Sequence, residues 1–311
     1  MEKHNCVRVN ADYEQVLFHG NPGPAAMNEA LEFLAFYLQD LPVLSAGHYP
    51  DAYLSEIGRL TGRIPQILRS GNHRNWWGPL EDLPRERELN SKLTSAALAQ
   101  REDWSRGRIV AAREVQGMRV EEATVLKDPF GMSGRGIFLF QKGEEIRLPR
   151  SSAGSLILEP YLERKYDFSH FIFPDGRMIC YENLIDGKFQ YRGTIIRPGL
   201  GLSSLSFYPS LQERDWAEFS LRLERIRDFY GDPSPYGYSV DSFVYASGTG
   251  LRIHALAEVN FRRTMGLCAF ELARLLSPEK VCALTLKAPL FGHAIRLSPP
   301  GVRFEIYFSS E

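Results

Sequence analysis

The chain has 311 residues, 44% hydrophobic and 24% charged, a globular composition that excludes disorder as the main state and fits two or three packed subdomains. Lys and Arg total 37 against 38 Asp and Glu, so the basic excess of a dedicated nucleic-acid binder is missing. The polar first ten residues lack a signal-peptide core and no run approaches the roughly 20 apolar residues of a membrane span, so a soluble, cytoplasmic protein is expected.

In chain order, residues 1–88 read as mixed helix and loop. Met27, Ala30, Leu31, Leu34 and Leu38 recur at helical spacing, and a second helix is predicted after Pro50 with Leu54, Ile57 and Leu60 on its buried face. Trp76-Trp77 read as packing anchors, with ligand stacking as the alternative. The middle segment, 89–157, opens with a helix through Lys92 and Leu98. The strand Val125–Lys127 then runs into Gly131-Met132-Ser133-Gly134-Arg135-Gly136 and returns as Ile137–Phe140. The last segment, 158–311, follows the apolar strand 156–158 and offers strands at 168–173, 178–183 and 194–197. An amphipathic helix carries Trp216, Phe219, Leu223, Ile226 and Phe229. Strands at 238–245 and 251–260 then precede a helix at 265–276. Without a regular βαβ rhythm, α+β is the expected class. The four cysteines, Cys6, Cys180, Cys268 and Cys282, have no metal or CxxC spacing and read as buried thiols.

Three features carry chemistry. Lys127 feeds a loop whose glycines, Gly131, Gly134 and Gly136, allow backbone N–H groups to approach an anion, with the Ser133 hydroxyl beside them. There is no Walker sequence, and on its own the motif reads equally as a plain glycine-rich hairpin. Glu258 and Asn260 are two apart on a strand and share a face. Folding the hairpin about Gly248 brings Asp241 opposite Glu258, so three hard oxygen ligands suited to magnesium converge, with His254 on the same face; the alternative is a solvated polar face. Third, the strand 156–158 ends at Glu159-Pro160, where Pro160 offers no N–H.

The order Lys92, Lys127 with its glycine loop, Glu159, Asp241 and Glu258-Val-Asn260-Phe-Arg262 resembles the ATP-grasp superfamily over about residues 89–296. The resemblance implies two α+β subdomains clasping ATP, preceded by a small N-terminal α/β domain in residues 1–88. It implies that Lys92, Lys127, Gly131, Ser133, Gly134 and Gly136 hold phosphates. Glu159, Tyr161 and Leu162 would hold adenine, and Asp167 the ribose. Asp241, Glu258 and Asn260 would hold magnesium, or manganese in its place. Arg262 completes an ExNxR pattern facing the reacting groups; Arg192 and Arg197 are the other candidates for stabilising the oxyanion. The arginine often found two residues before the first metal aspartate is Ser239 here.

The expected activity is an ATP-dependent ligase joining a carboxylate to an amine or other nucleophile through an acylphosphate, releasing ADP and phosphate. The alternatives are an ATP-binding protein without ligase activity and a phosphotransferase. The implied partners are a small-molecule or peptide carboxylate and an amine acceptor, not a membrane or nucleic acid. A homodimer is one assembly the sequence allows.

Overall fold

The computed structural model describes residues 5–23, 25–131, 136–149, 154–231, 236–302 and 304–311, with 25 and 26 as backbone only. Three sheets organise it. The first holds β1 (Cys6–Arg8), β2 (Val43–Leu44), β3 (Ile67–Leu68) and β4 (His73–Asn75), all parallel in the order β3-β2-β1-β4. The helices α1 (Tyr13–His19), α2 (Ala25–Glu29), α3 (Phe33–Leu38), α4 (Asp51–Thr61) and α5 (Leu83–Leu89) accompany it. These strands escaped the sequence reading because two or three residues carry no measurable period. The single helix expected across Met27–Leu38 is two. Leu31 and Glu32 both donate their N–H to the Asn28 carbonyl, and this turn separates α2 from α3. Helix α4 follows Pro50 as expected.

After α6 (Lys92–Arg101), the second sheet contains β5 (Arg108–Ala111), β6 (Thr124–Lys127), β7 (Ile137–Phe140) and β8 (Ser155–Pro160), with α7 (Ala112–Val115) between the first two strands. It is antiparallel in the order β5-β8-β6-β7. The boundary expected at 157 therefore falls inside β8.

The third sheet is an eight-stranded antiparallel array. Its strands are β9 (Arg164–Ile172), β10 (Met178–Ile185), β11 (Tyr191–Ile196), β12 (Tyr238–Ser247), β13 (Gly250–Asn260), β14 (Cys282–Leu286), β15 (His293–Arg296) and β16 (Ile306–Ser310). Their order is β13-β12-β9-β10-β11-β14-β16-β15. The last three were not predicted; they close the sheet beyond β11.

The two faces of this sheet divide the labour. Phe168, Val240 and Val244 pack against α8 (Glu213–Tyr230) through Phe219, Leu223 and Ile226. Phe229, expected on that buried stripe, is 40% exposed beneath the Arg101 guanidinium, and Tyr230 is buried in its stead. On the other face, Phe171, Tyr181 and Leu284 join α9 (Met265–Leu276) and the first unit's Phe33, Phe36, Trp76 and Trp77 in one continuous core. Both tryptophans pack in this core, and Trp77 also reaches the lining of the cavity described below. All four cysteines are buried and free. Among the described residues no helix is long and apolar enough to cross a membrane.

Candidate functional site

A cavity of about 290 Å³ is lined by residues from around all three sheets. Its floor follows from strand alternation. Asp167 and Ser169 on β9, Tyr181 and Asn183 on β10, Ser239 and Asp241 on β12, and Glu258 and Asn260 on β13 all line it. The intervening Phe168, Cys180, Val240 and Val259 belong to the core beneath.

Register fixes the centre. Asp241 lies directly across from Ser169 on one side and Glu258 on the other. The Ser169 hydroxyl donates to Asp241 Oδ1 at 2.6 Å, and Asn183 Nδ2 donates to that hydroxyl oxygen at 2.6 Å. Asn260 Nδ2 donates to Asp241 Oδ2 at 3.0 Å. Asp241 is therefore held at both oxygens. Burial first, and then the adjacent Glu258 charge, push its carboxyl well above the usual range. Burial pushes Glu258 the same way, but Lys92, Arg262 and Lys127 together hold it below.

Lys92 is the first residue of α6, where Ser91 caps the helix by accepting from the Leu93 N–H. Its Nζ lies 2.7 Å from Glu258 Oε2 and donates to the Gly131 carbonyl at 2.6 Å. Glu258 raises the lysine's pKa against the opposing effect of burial. Lys127, at the end of β6, reaches Glu159 Oε2 on the neighbouring strand at 2.5 Å. Burial favours protonation of Glu159, and Lys127 outweighs it to hold the carboxyl low.

Several expected residues converge and several do not. Lys92, Lys127, Gly131, Asp167, Asp241, Glu258, Asn260 and Arg262 line one cavity. Gly136 adopts φ +76° beside Asp128, closing the hairpin with an Asp128 N–H to Gly136 carbonyl bond of 2.7 Å; Ser133 and Gly134 lie outside the described residues. Glu159, Tyr161 and Leu162 are not in the lining, and the Tyr161 N–H is already donated to the Ala123 carbonyl. Arg192 is paired with Asp186 and Arg197 with Glu182, and neither is in the cavity lining. Arg262 does face in, while Arg263 pairs with Glu271.

His254 keeps the face expected of it but not a place in the lining. Between the Asp241–Glu258 and Phe243–His254 pairs, β12 advances two residues and β13 four. Two extra residues preserve the alternation, so His254 stays on the side of Phe243 and Asp167 and stacks on Phe243 with ring centroids 4.6 Å apart.

Other lining residues escaped the sequence reading. Arg164 pairs with Asp167 at 2.9 Å and lies 4.0 Å over the Phe243 ring; its position three residues before Asp167 was the available signal. Ser169, Tyr181 and Asn183 were legible only as strand alternation. Glu14 of α1, paired with Arg262 Nη2 at 2.9 Å, had no local signal.

The donor set fits a hard divalent cation. Asp241 and Glu258 are half-buried carboxylates on adjacent strands, and the repulsion that adds to desolvation in raising Asp241 is what a bound cation would relieve. No cluster of three His, Cys, Asp or Glu occurs among the described residues, so the Asn260 amide oxygen is needed as the third donor.

No protein-family model matches this chain, and no curated protein does. Solved structures do. N5-carboxyaminoimidazole synthetase from Staphylococcus aureus, complexed with ADP, matches with a TM-score of 0.55 at 11% identity, covering 99% of this chain and 93% of that one. A biotin carboxylase from Campylobacter jejuni, in a β-γ-ATP complex, gives 0.54 at 11% identity over 99% and 88%. An N5-carboxyaminoimidazole synthase from Aspergillus clavatus, with ADP and 5-aminoimidazole ribonucleotide, gives 0.51 at 9% identity over 99% and 94%. The chain has the α+β architecture of the ATP-grasp fold.

Proposed function

We propose that this protein is an ATP-dependent ligase that activates a carboxylate as an acylphosphate and transfers the acyl group to an amine or another nucleophile. The observation that carries this reading is the meeting of Lys92, Lys127, Asp241, Glu258, Asn260 and Arg262 around one cavity of the ATP-grasp fold. The substrate carboxylate attacks the γ-phosphorus, the bond to the β-phosphate oxygen breaks, and ADP leaves. The nucleophile then attacks the acyl carbon, phosphate departs with the bonding pair, and the amine proton passes to solvent.

Lys92 and Lys127 supply charge to the phosphates, exchanging their present carboxylate partners for phosphate oxygens. Asp241, Glu258 and the Asn260 amide oxygen would hold magnesium or manganese, which when bound offsets charge on the phosphate oxygens. Asp167 and Arg164 stand at the nucleoside end, Arg262 at the reacting end. The first two of the three proposed units meet near residue 88, and the next boundary is moved past Pro160. A cytoplasmic setting belongs to the same proposal. ADP complexes of proteins with this fold support the nucleotide assignment.

Positional isotope transfer tests the chemistry. A carboxylate substrate labelled with heavy oxygen should pass one label into the released phosphate. Retention of all label in the product, or formation of AMP and pyrophosphate, would sink the acylphosphate.

A further inference from the structure

Within the proposed reading, phosphates occupy Lys92 and Lys127 and a cation occupies Asp241 and Glu258. Arg164 already has Asp167. One ion pair of the lining is then left beside the reacting end: Glu14 Oε1 to Arg262 Nη2 at 2.9 Å. Both side chains keep unspent hydrogen-bonding capacity. Arg262 Nε is buried and has no partner among the described residues. Glu14 Oε2 accepts no hydrogen bond among them, although the side chain remains 19% exposed.

The pair is also rigidly mounted. Tyr13, next to Glu14, donates its hydroxyl hydrogen to Glu86 Oε2 at 2.8 Å, and Asn90 Nδ2 donates to the Tyr13 oxygen at 3.2 Å. The same Asn90 accepts the N–H of Phe261, next to Arg262, at 2.8 Å. One buried network therefore sets the positions of both charges. Around them the first unit contributes apolar surface from Ala11, Met27 and Leu31, and α9 contributes Met265.

Charge decides what fits. Lys92, Lys127, Arg164 and Arg262 face Glu14, Asp167, Asp241 and Glu258, so the lining is formally balanced. A plain monocarboxylate taking Arg262 would strip Glu14 of its partner and set two anions side by side, an arrangement a desolvated site penalises heavily. A substrate with an ammonium next to its carboxylate replaces both halves of the pair at once.

Resting on the ligase reading for the role of Arg262, we infer that the activated substrate is an amino acid with an apolar side chain. Its carboxylate is held by Arg262 and its ammonium by Glu14.

The test uses the full chain. Ligand-observed NMR measures binding of alanine, valine, leucine, methionine and phenylalanine, each enantiomer, against the matched acids lacking the amino group, without nucleotide. The same compounds, and bicarbonate, are then incubated with ATP, magnesium and hydroxylamine, which traps an acylphosphate as a hydroxamate. At least one amino acid should bind about tenfold or more tightly than its des-amino acid and yield ADP and hydroxamate. Glu14→Gln should shrink that preference to within about twofold, and Glu14→Asp should retain most of it. Failure of every amino acid to bind, a preference unchanged in Glu14→Gln, or ADP release with bicarbonate alone overturns the inference. Glu14-dependent amino-acid binding without ADP release would instead overturn the ligase reading and leave the amino-acid site standing.

Discussion

Lys127 is one of the most deeply placed cations of the cavity, and its charge is met by Glu159 at 2.5 Å. Removing it alone would strand a buried carboxylate and confuse binding with folding. The informative variant is Lys127→Ala combined with Glu159→Gln. Loss of one charge-assisted phosphate contact is worth about 1.5–3 kcal/mol, so ATP affinity by calorimetry should fall roughly ten- to a hundredfold. Affinity equal to that of Glu159→Gln alone would remove Lys127 from the phosphate site. Arg262 makes a different prediction. Arg262→Lys keeps the charge but loses the planar fork. Turnover should drop by about tenfold or more while ATP affinity moves within about twofold. Equal losses in both would place Arg262 at the nucleotide rather than at the reacting group.

At the scale of elements, β9, β10, β12 and β13 present polar side chains to the cavity and apolar ones to α8, so a single alternation builds floor and core together. Helix α9 closes the opposite side. Thr264 caps it by accepting from the Leu267 N–H at 3.2 Å, and the same hydroxyl lies 3.1 Å from the Tyr181 hydroxyl. Gly266 lets the first turn approach this tyrosine, because a Cβ there would stand 2.1 Å from the ring. Gly266→Ala must therefore push α9 away from β10, and should cost about 1–3 kcal/mol in denaturant unfolding. A midpoint unchanged from wild type would mean that the helix and ring are not packed this way.

Global stability carries an acid limb set beneath the sheet. His170 on β9 is fully buried against Phe168 and Phe219, with neither ring nitrogen partnered among the described residues. Burial pushes this imidazole down from 6.5 to about 3. Below pH 6.5 the unfolded chain takes up a proton that the folded chain refuses. The contribution is complete above that pH and is lost as the pH falls toward 3, by about 1.4 kcal/mol per unit. His170→Phe should make this limb shallower and raise stability near pH 5, leaving the like but shorter limb from His254, which burial holds at about 4. An unaltered pH profile of urea midpoints would contradict the buried neutral imidazole.

The sequence alone determined whatever is repeated or spaced within one element. The period of three to four residues defined α8, and helix α9 appears with the bounds read from the chain. The two-residue spacing of Glu258 and Asn260, with a hairpin turn before them, was enough to bring Asp241 opposite Glu258. Side-chain direction in a strand is fixed by the backbone, so such patterns need no knowledge of the rest of the molecule. The tertiary structure decided the remainder. A sheet of two- and three-residue strands owes its existence to neighbours supplied by distant segments. The irregular register in β12–β13 inserted two extra residues on β13, which left His254 on the face that alternation gave it but moved it along the sheet, beside Phe243 and out of the cavity lining. Of the three candidate arginines the ExNxR spacing favoured Arg262, and packing left Arg192 and Arg197 with local acids while giving Arg262 a glutamate 248 residues away as its partner. Such pairings are settled by which surfaces bury together, and that selection leaves no periodic mark on either segment.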